Sequence, residues 1–125
     1  MSKTALELTH HEWQAYQPAK HTETDKTALA ARRQQALKLA RQAAQLLKER
    51  FGAQRVMLFG SLRDETLFTW WSDIDLAAWG ISEQQIYKAI AQVAGLSPDF
   101  KIDLVDLDVC RPGLKTVIER DGVEL

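Results

Sequence analysis

The alternation of apolar and polar residues along the chain predicts a series of helices and strands. Between residues 24 and 51, apolar side chains recur at three- and four-residue steps, which indicates an amphipathic helix that Gly52 ends. Its predicted inward positions are Leu29, Ala36, Leu37, Ala40, Ala43, Ala44, Leu47 and Phe51. The intervening basic residues, including Arg32 and Arg33, are typical of a solvated helix face, and nucleic-acid contact is the alternative.

Three short apolar stretches, 55–59, 73–79 and 101–106, predict strands. Between the second and third strands, Ser82 and Gln85 match a capping box that begins a helix. The predicted inward face of that helix carries Ile86, Ile90 and Val93. The fold class expected from this order is α/β of the α+β type, with a small mixed sheet and helices packed on one side.

The end of the chain predicts one more helix and one more strand. Pro112 and Gly113 precede a helix over 114–120, whose predicted inward residues are Leu114, Val117 and Ile118. A turn follows, and residues 123–125 predict a short edge strand.

Composition limits the function classes. A chain of 125 residues with 46% hydrophobic and 26% charged residues is typical of one globular domain. A net charge of −1 argues against extended nucleic-acid binding, which needs a broad basic surface. The lone Cys110, expected to be a small buried residue, excludes an internal disulfide and fits a reducing cytosol. We find no membrane-span or signal-peptide pattern, so we expect a cytoplasmic protein without membrane contact.

Residues 1–21 predict a separate N-terminal arm before a domain over 22–125. Thr9 and Glu12 match a capping box, so a short helix is expected to end before Pro18. The three histidines, His10, His11 and His21, are expected to be solvated, since the adjacent pair cannot share one helical face.

The chemistry concentrates between residues 56 and 80. In the second predicted strand, Asp73 and Asp75 point to the same face, while Ile74 points to the core. Two adjacent carboxylates repel each other unless a cation lies between them, and Mg²⁺ favours carboxylates together with substrate phosphates. This spacing therefore predicts a metal site.

A Gly60-Ser61 turn follows the first predicted strand. Its backbone N–H groups and hydroxyl can bind a phosphate, because glycine allows close approach of the backbone. A short helix over 62–68 would point its N-terminus at the same phosphates. Together with the carboxylates, this turn predicts a site for a nucleoside triphosphate.

Three neighbouring residues leave alternatives open. Arg63 can bind a phosphate oxygen or form a surface salt bridge with Asp64 or Glu65. Trp70 and Trp71 can stack on a base, although aromatic packing at a domain edge is commoner. Ser72 is expected to order the turn into the second strand.

Gly60-Ser61 followed by Asp73-Ile74-Asp75 resembles the signature of the DNA polymerase β-like nucleotidyltransferase superfamily. More narrowly, it is similar to the minimal nucleotidyltransferases, the antitoxins of toxin–antitoxin pairs with HEPN-domain toxins. The resemblance covers residues 32–125. Here the Ser61–Asp73 connection is one residue longer than usual, and Arg63 comes one position earlier than the family's usual arginine.

The resemblance implies a polymerase β-like fold and specific residue roles. Asp73, Asp75 and Asp103 would hold Mg²⁺, with two ions expected, and Asp103 would accept the proton of the attacking hydroxyl. Asp106 and Asp108 are instead interpreted as turn or cap residues. The nucleotide-binding residues would be Gly60, Ser61 and Arg63.

The implied reaction transfers AMP from ATP to a hydroxyl, expected to be a tyrosine of the cognate HEPN ribonuclease toxin. Silencing of the toxin would make this chain an antitoxin. The alternative is a non-catalytic binding module that neutralises its partner by occlusion. An aminoglycoside-type transferase is less favoured, because the second helical domain of those enzymes has no counterpart here.

Overall fold

The computed structural model describes residues 23–125. The predicted arm over residues 1–21, with its three histidines, lies outside the described residues, as does residue 22. The elements in chain order are helix α1 (Glu23–Phe51), strand β1 (Arg55–Phe59), a 3₁₀ turn (Ser61–Arg63), strand β2 (Ile74–Trp79), helix α2 (Glu83–Ala94), strand β3 (Ile102–Asp106), helix α3 (Pro112–Asp121) and strand β4 (Val123–Glu124).

The four strands form one mixed sheet in the order β3-β2-β1-β4. Strand β1 runs antiparallel to both β2 and β4, while β2 and β3 are parallel. Helix α2 makes the crossover that two parallel neighbours require. The predicted α+β class and mixed sheet are confirmed, as is the short edge strand at the end of the chain.

Helices α1 and α2 cover one face of the sheet. The small residues Ala36, Ala40 and Ala43 of α1 are fully buried, so this long helix lies close to the strands. Their partners in the sheet and in α2 include Val56, Leu58, Ile74, Leu76, Ile102, Ile86 and Val93. The predicted inward faces of both helices therefore form the main core.

Helix α3 lies against the opposite face of the sheet, so the expectation that the helices pack on one side is wrong for α3. Its Ile118 is fully buried and packs in a cluster with Met57, Ala77 and Leu107. Leu114 and Val117 were expected inward as well, but they are 39% and 46% exposed. The expectation is wrong for these two because α3 meets the sheet through Ile118, while Val117 lines an open cavity.

The predicted helix over 62–68 is also wrong. Only one 3₁₀ turn forms, and Asp64 follows it in an extended conformation. The Asp64 carboxylate accepts hydrogen bonds from the backbone N–H and the hydroxyl of Thr66, at 2.9 and 2.8 Å. Such local bonds compete with helix formation, so no helix N-terminus of useful length faces the Gly60-Ser61 turn.

Two smaller predictions have mixed outcomes. Ser82 occupies the N-cap position of α2, but its side chain makes no capping hydrogen bond. Cys110 is half-buried rather than buried and packs at the edge of the α3 cluster. Among residues 23–125, no helix has the length and apolar character needed to cross a membrane.

Candidate active site

The alternation of side chains in β2 separates the core from the candidate site. Ile74 and Leu76 are fully buried beneath α1 and α2. Asp75 lies between them and points to the other face, where it is half-buried. Asp73 precedes β2 by one residue and is also half-buried, so the two carboxylates have the same parity.

The parallel pairing of β2 with β3 sets Asp103 directly beside Asp75, since the two residues are partners in the register. Adjacent strands lie about 4.8 Å apart, so both carboxylates project from neighbouring positions on one face. Asp106 falls on the other parity of β3. Its Oδ1 accepts the Asp108 N–H at 3.0 Å, and Asp108 Oδ2 accepts the Gly80 N–H at 2.9 Å. These last two carboxylates therefore hold turns.

Asp75 is the electrostatic centre of this group. Burial raises the pKa of its carboxyl, and the negative charges of Asp103 and Asp73 raise this pKa further, against a smaller opposing effect of Lys101. The Lys101 ammonium lies 3.8 Å from Asp103 Oδ2. Three carboxylates that repel one another around a half-buried position form a site that favours a cation.

The residues fit a divalent cation in donor chemistry and in backbone placement. Oxygen ligands on strand backbones are what Mg²⁺ prefers, and the Asp75–Asp103 register brings two of them together. Within residues 23–125, however, no three acidic, histidine or cysteine side chains already stand as a ligand set. The fit therefore rests on the strand register rather than on the present side-chain directions, with Asp103 paired to Lys101.

Gly60 brings the turn after β1 into contact with the same carboxylate. Its φ of 75° and ψ of −162° lie in a region that only glycine adopts readily. A Cβ atom at this position would overlap Asp75 Oδ2. The predicted phosphate-binding turn and the predicted metal carboxylate are therefore in direct contact, which only a glycine permits.

A chain of hydroxyl groups fastens this turn to the loop before β2. The Ser61 hydroxyl donates to Ser72 Oγ at 2.8 Å, and the same oxygen accepts the Thr69 N–H at 2.8 Å. The Trp71 N–H in turn donates to Thr69 Oγ1 at 3.2 Å. Ser72 thus orders the loop as expected. The sequence did not single out Thr69, although serine and threonine hydroxyls in a connection often bond to the backbone of a turn.

A cavity of about 420 Å³ opens beside the turn. Its lining residues are Phe59, Gly60, Ser61, Arg63, Leu67, Val117 and Asp121. Among the described residues, Arg63 forms no ion pair with Asp64 or Glu65, so that alternative is not realised. A larger groove of about 700 Å³ runs along α1 but contains none of the predicted site residues.

The tryptophans of the loop before β2 are exposed. Trp70 is 40% and Trp71 84% exposed, so edge packing, the commoner explanation, is wrong for Trp71. The backbone of Trp71 is nevertheless fixed by its bond to Thr69. This loop therefore presents an indole ring to solvent two residues before Asp73.

Two arginines of α1 are structural rather than solvated. Arg33 donates from Nε and Nη2 to the Leu62 carbonyl oxygen, at 3.2 and 3.0 Å. Arg32 donates to the Asp99 carbonyl oxygen at 3.0 Å and stacks over the Phe100 ring, 4.2 Å from its centroid. The interpretation as a solvated helix face is therefore wrong for this pair, because each side chain anchors a loop.

No protein-family model matches the chain, and no curated protein matches its sequence. Solved structures do match. A chain in the crystal structure of the toxin–antitoxin MntA-HepT is 22% identical, with a TM-score of 0.53 over 70% of this chain and 69% of that one. A chain in a crystal structure of the toxin–antitoxin with AMP-PNP is 24% identical, with a TM-score of 0.57 over 68% and 70%. The chain thus shares its fold with the matched chains of these toxin–antitoxin structures, and the predicted fold class is confirmed.

Proposed function

We propose that this chain is a nucleotidyltransferase that transfers AMP from ATP to a tyrosine hydroxyl of a cognate HEPN toxin and so acts as an antitoxin. One observation carries the proposal: Asp75 and Asp103 are register partners on neighbouring strands, and Asp75 lies against the Gly60 turn. Support for the partner and the nucleotide comes from structures of the same fold, a toxin–antitoxin complex and a complex with the ATP analogue AMP-PNP.

The Gly60-Ser61 turn would bind the β- and γ-phosphates of ATP. Its backbone comes close to the ligand because Gly60 has no side chain. The Ser61 hydroxyl can turn from Ser72 to a phosphate oxygen, which costs one hydrogen bond and gains a charge-assisted one. Arg63, which lines the adjoining cavity, would add a positive charge beside the triphosphate.

Asp73, Asp75 and Asp103 would hold Mg²⁺, with two ions expected. A bound divalent ion would neutralise triphosphate charge and stabilise an in-line displacement at the α-phosphorus. Asp103 would accept the hydroxyl proton as the acceptor oxygen bonds to that phosphorus. The bond from the α-phosphorus to the β-bridging oxygen breaks, and pyrophosphate leaves with its electron pair.

The surface around the cavity suits a protein acceptor. Leu67 and Val117 line the cavity and are 47% and 46% exposed, while Trp71 on the nearby loop is 84% exposed. Exposed apolar residues grouped around a site are typical of an interaction surface. A tyrosine of a toxin docked on these residues could thereby enter the cavity.

Occlusion without chemistry is the second candidate. The observation that favours it is the lack, among residues 23–125, of a ligand set already arranged for a metal ion. The same exposed apolar rim would then serve only to cover the partner's active site.

Label transfer separates the two candidates. The purified chain is incubated with Mg²⁺, the HEPN toxin and ATP labelled at either the α- or the γ-phosphate. We expect label on the toxin only from the α position. We also expect Asp73→Asn to abolish transfer and protection while the complex still forms, with the exposed Asp99→Asn as the matched control.

Protection by Asp73→Asn at the wild-type level, with no label transferred, would establish occlusion instead. Label arriving from the γ position would contradict the proposed transfer at the α-phosphorus and indicate a kinase.

A further inference from the structure

The Gly60-Ser61 turn is held from the side of α1 as well as from the loop before β2. The Leu62 carbonyl, one residue after the turn, receives both the Nε–H and the Nη2–H of Arg33. The Leu62 side chain is fully buried, and Arg33 is half-buried. This contact joins residues 29 positions apart, so it fixes the turn relative to the long helix.

Fixing this carbonyl also fixes the backbone donors around it. The peptide group is planar, so the direction of the Leu62 C=O sets that of the following Arg63 N–H. On the other side, Gly60 is the most freely rotating residue of the segment, because glycine has access to most backbone conformations. Without an anchor at Leu62, only the Ser61 hydroxyl bond to Ser72, on the other side of the turn, would restrain these donors.

Arginine is suited to this task in a way that lysine is not. The guanidinium group is a rigid plane with several donors, and two of them converge here on one oxygen. A lysine would offer a single mobile ammonium group. Its positive charge would be similar, but the direction of the carbonyl would be set less firmly.

The neighbouring Arg32 provides an internal comparison. It binds the Asp99 carbonyl and the Phe100 ring, which precede β3, and makes no hydrogen bond to the Gly60-Ser61 turn. Arg32 is therefore similar to Arg33 in position and in carbonyl binding, but it anchors a different loop.

We propose that Arg33 is a positioning residue for the triphosphate-binding turn: it orients the Leu62 carbonyl so that the backbone donors between Gly60 and Arg63 face the nucleotide phosphates. This inference rests on the proposed function. It assigns to α1 a part in nucleotide affinity without contact between Arg33 and the nucleotide.

The test compares Arg33→Lys with Arg32→Lys in the full chain. Affinity for AMP-PNP with Mg²⁺ is measured by calorimetric titration, thermal unfolding is measured on the same samples, and KM and kcat are measured in the label-transfer assay. We expect Arg33→Lys to weaken AMP-PNP binding roughly fivefold to tenfold, the range of one hydrogen-bonded contact. KM for ATP should rise with little change in kcat, and Arg32→Lys should bind AMP-PNP like the wild type.

Three outcomes would overturn the inference. Wild-type affinity in Arg33→Lys would show that the anchor does not serve nucleotide binding. An equal loss in Arg32→Lys would show a general effect of loosening α1. Absence of AMP-PNP binding by the wild-type chain would overturn the proposed function as well, which distinguishes that failure from the first two.

Discussion

Asp75 has carboxylate neighbours on two sides, Asp103 across the strand pair and Asp73 two residues before it. Burial raises the pKa of its carboxyl, and these two negative charges add to the effect. A folded-state pKa above the unfolded one means that the ionised group opposes folding. This destabilising effect is fully present above the pKa of the folded state. It decreases as the pH falls from the folded-state pKa to the lower pKa of the unfolded state.

We therefore expect Asp75→Asn to stabilise the metal-free protein at pH 7. The neutral amide removes the burial penalty of the charge and its repulsion by Asp103 and Asp73. Denaturant unfolding across a pH series should show the largest gain near neutrality. The gain should shrink as the pH falls and disappear below the ordinary aspartate pKa of 3.8. Mg²⁺ should raise the stability of the wild type but not of the variant.

Asp99→Asn provides the control, because Asp99 is an exposed acid outside the group. Its unfolding free energy should follow that of the wild type across the pH series. If Asp75→Asn were less stable than the wild type at pH 7, the carboxylate would be a favourable group in the fold, and the electrostatic account of the site would fail.

Gly60 and Gly52 form a natural pair for a second prediction. Both have positive φ, 75° and 71°, but a Cβ at Gly60 would overlap Asp75, whereas a Cβ at Gly52 would meet nothing within 4 Å. Gly52→Ala should cost about 1–2 kcal/mol of stability and leave AMP-PNP binding intact.

Gly60→Ala should cost about 1–3 kcal/mol from backbone strain and, in addition, displace Asp75, so that AMP-PNP binding is lost. Chemical denaturation and calorimetric titration of both variants provide the check. Equal nucleotide affinity in the two alanine variants would contradict the close approach of the turn to the carboxylate.

At the residue scale, local spacing predicted some contacts and not others. The parity of Asp73 and Asp75 follows from strand alternation alone. The contact between Gly60 and Asp75, in contrast, depends on how β1 and β2 are paired, and the bond from Arg33 to Leu62 depends on where α1 lies. Neither is visible in a short window of sequence, because each arises from tertiary packing.

Helix α3 shows where element-level prediction succeeds and where it ends. The bounds predicted from Pro112 and the apolar pattern agree with the observed Pro112–Asp121 to within two residues at the start and one at the end. Which side of the helix meets the sheet was not predictable from three apolar residues within one turn and a half. The helix prediction for residues 62–68 was wrong for a different reason. The Asp64 carboxylate accepts hydrogen bonds from Thr66, and these local bonds replace those of a helix.

The third prediction concerns the attachment of α3. Ile118 is fully buried against Met57 and Ala77, whereas Val117 is 46% exposed. Ile118→Ala should cost about 2–5 kcal/mol of unfolding free energy, as expected for a large-to-small change in a packed cluster. Val117→Ala should change stability by less than about 0.5 kcal/mol, the usual range for surface substitutions. Urea unfolding of both variants tests the assignment, and similar losses in the two would contradict the observed orientation of α3.

At the scale of the whole molecule, the sheet divides stability from proposed chemistry. One face holds α1, α2 and the larger core, while the other carries Asp75 and Asp103, and the cavity opens at the adjoining Gly60-Ser61 turn. Because strand alternation keeps the two sets of side chains apart, repelling carboxylates can be kept on one face without entering the core. Of the helices within residues 23–125, only α3 packs on the face that carries the site, and it does so through one fully buried residue of its own, Ile118.

This division leads to the last prediction. Nucleotide binding should stabilise the fold through the carboxylates of the site face, and the residues of the larger core should not take part. Mg²⁺ and AMP-PNP at about a hundred times their dissociation constant should raise the unfolding free energy by about 2.7 kcal/mol, since a ligand that binds only the folded state stabilises it by mass action. Asp103→Asn should remove most of this gain. Without ligand it should be slightly more stable than the wild type at pH 7, because its charge no longer repels Asp75.

Asp106→Asn tests whether any acid of β3 would serve. Asp106 is three residues further along the same strand but on the other parity, where its carboxylate holds a turn through the Asp108 N–H. The Asp106→Asn variant should therefore have a slightly lower ligand-free stability and keep the full gain in stability from AMP-PNP. If Asp106→Asn lost the gain and Asp103→Asn kept it, the nucleotide would bind through the other face of the sheet. The register of β2 and β3 would then no longer support the proposed transfer.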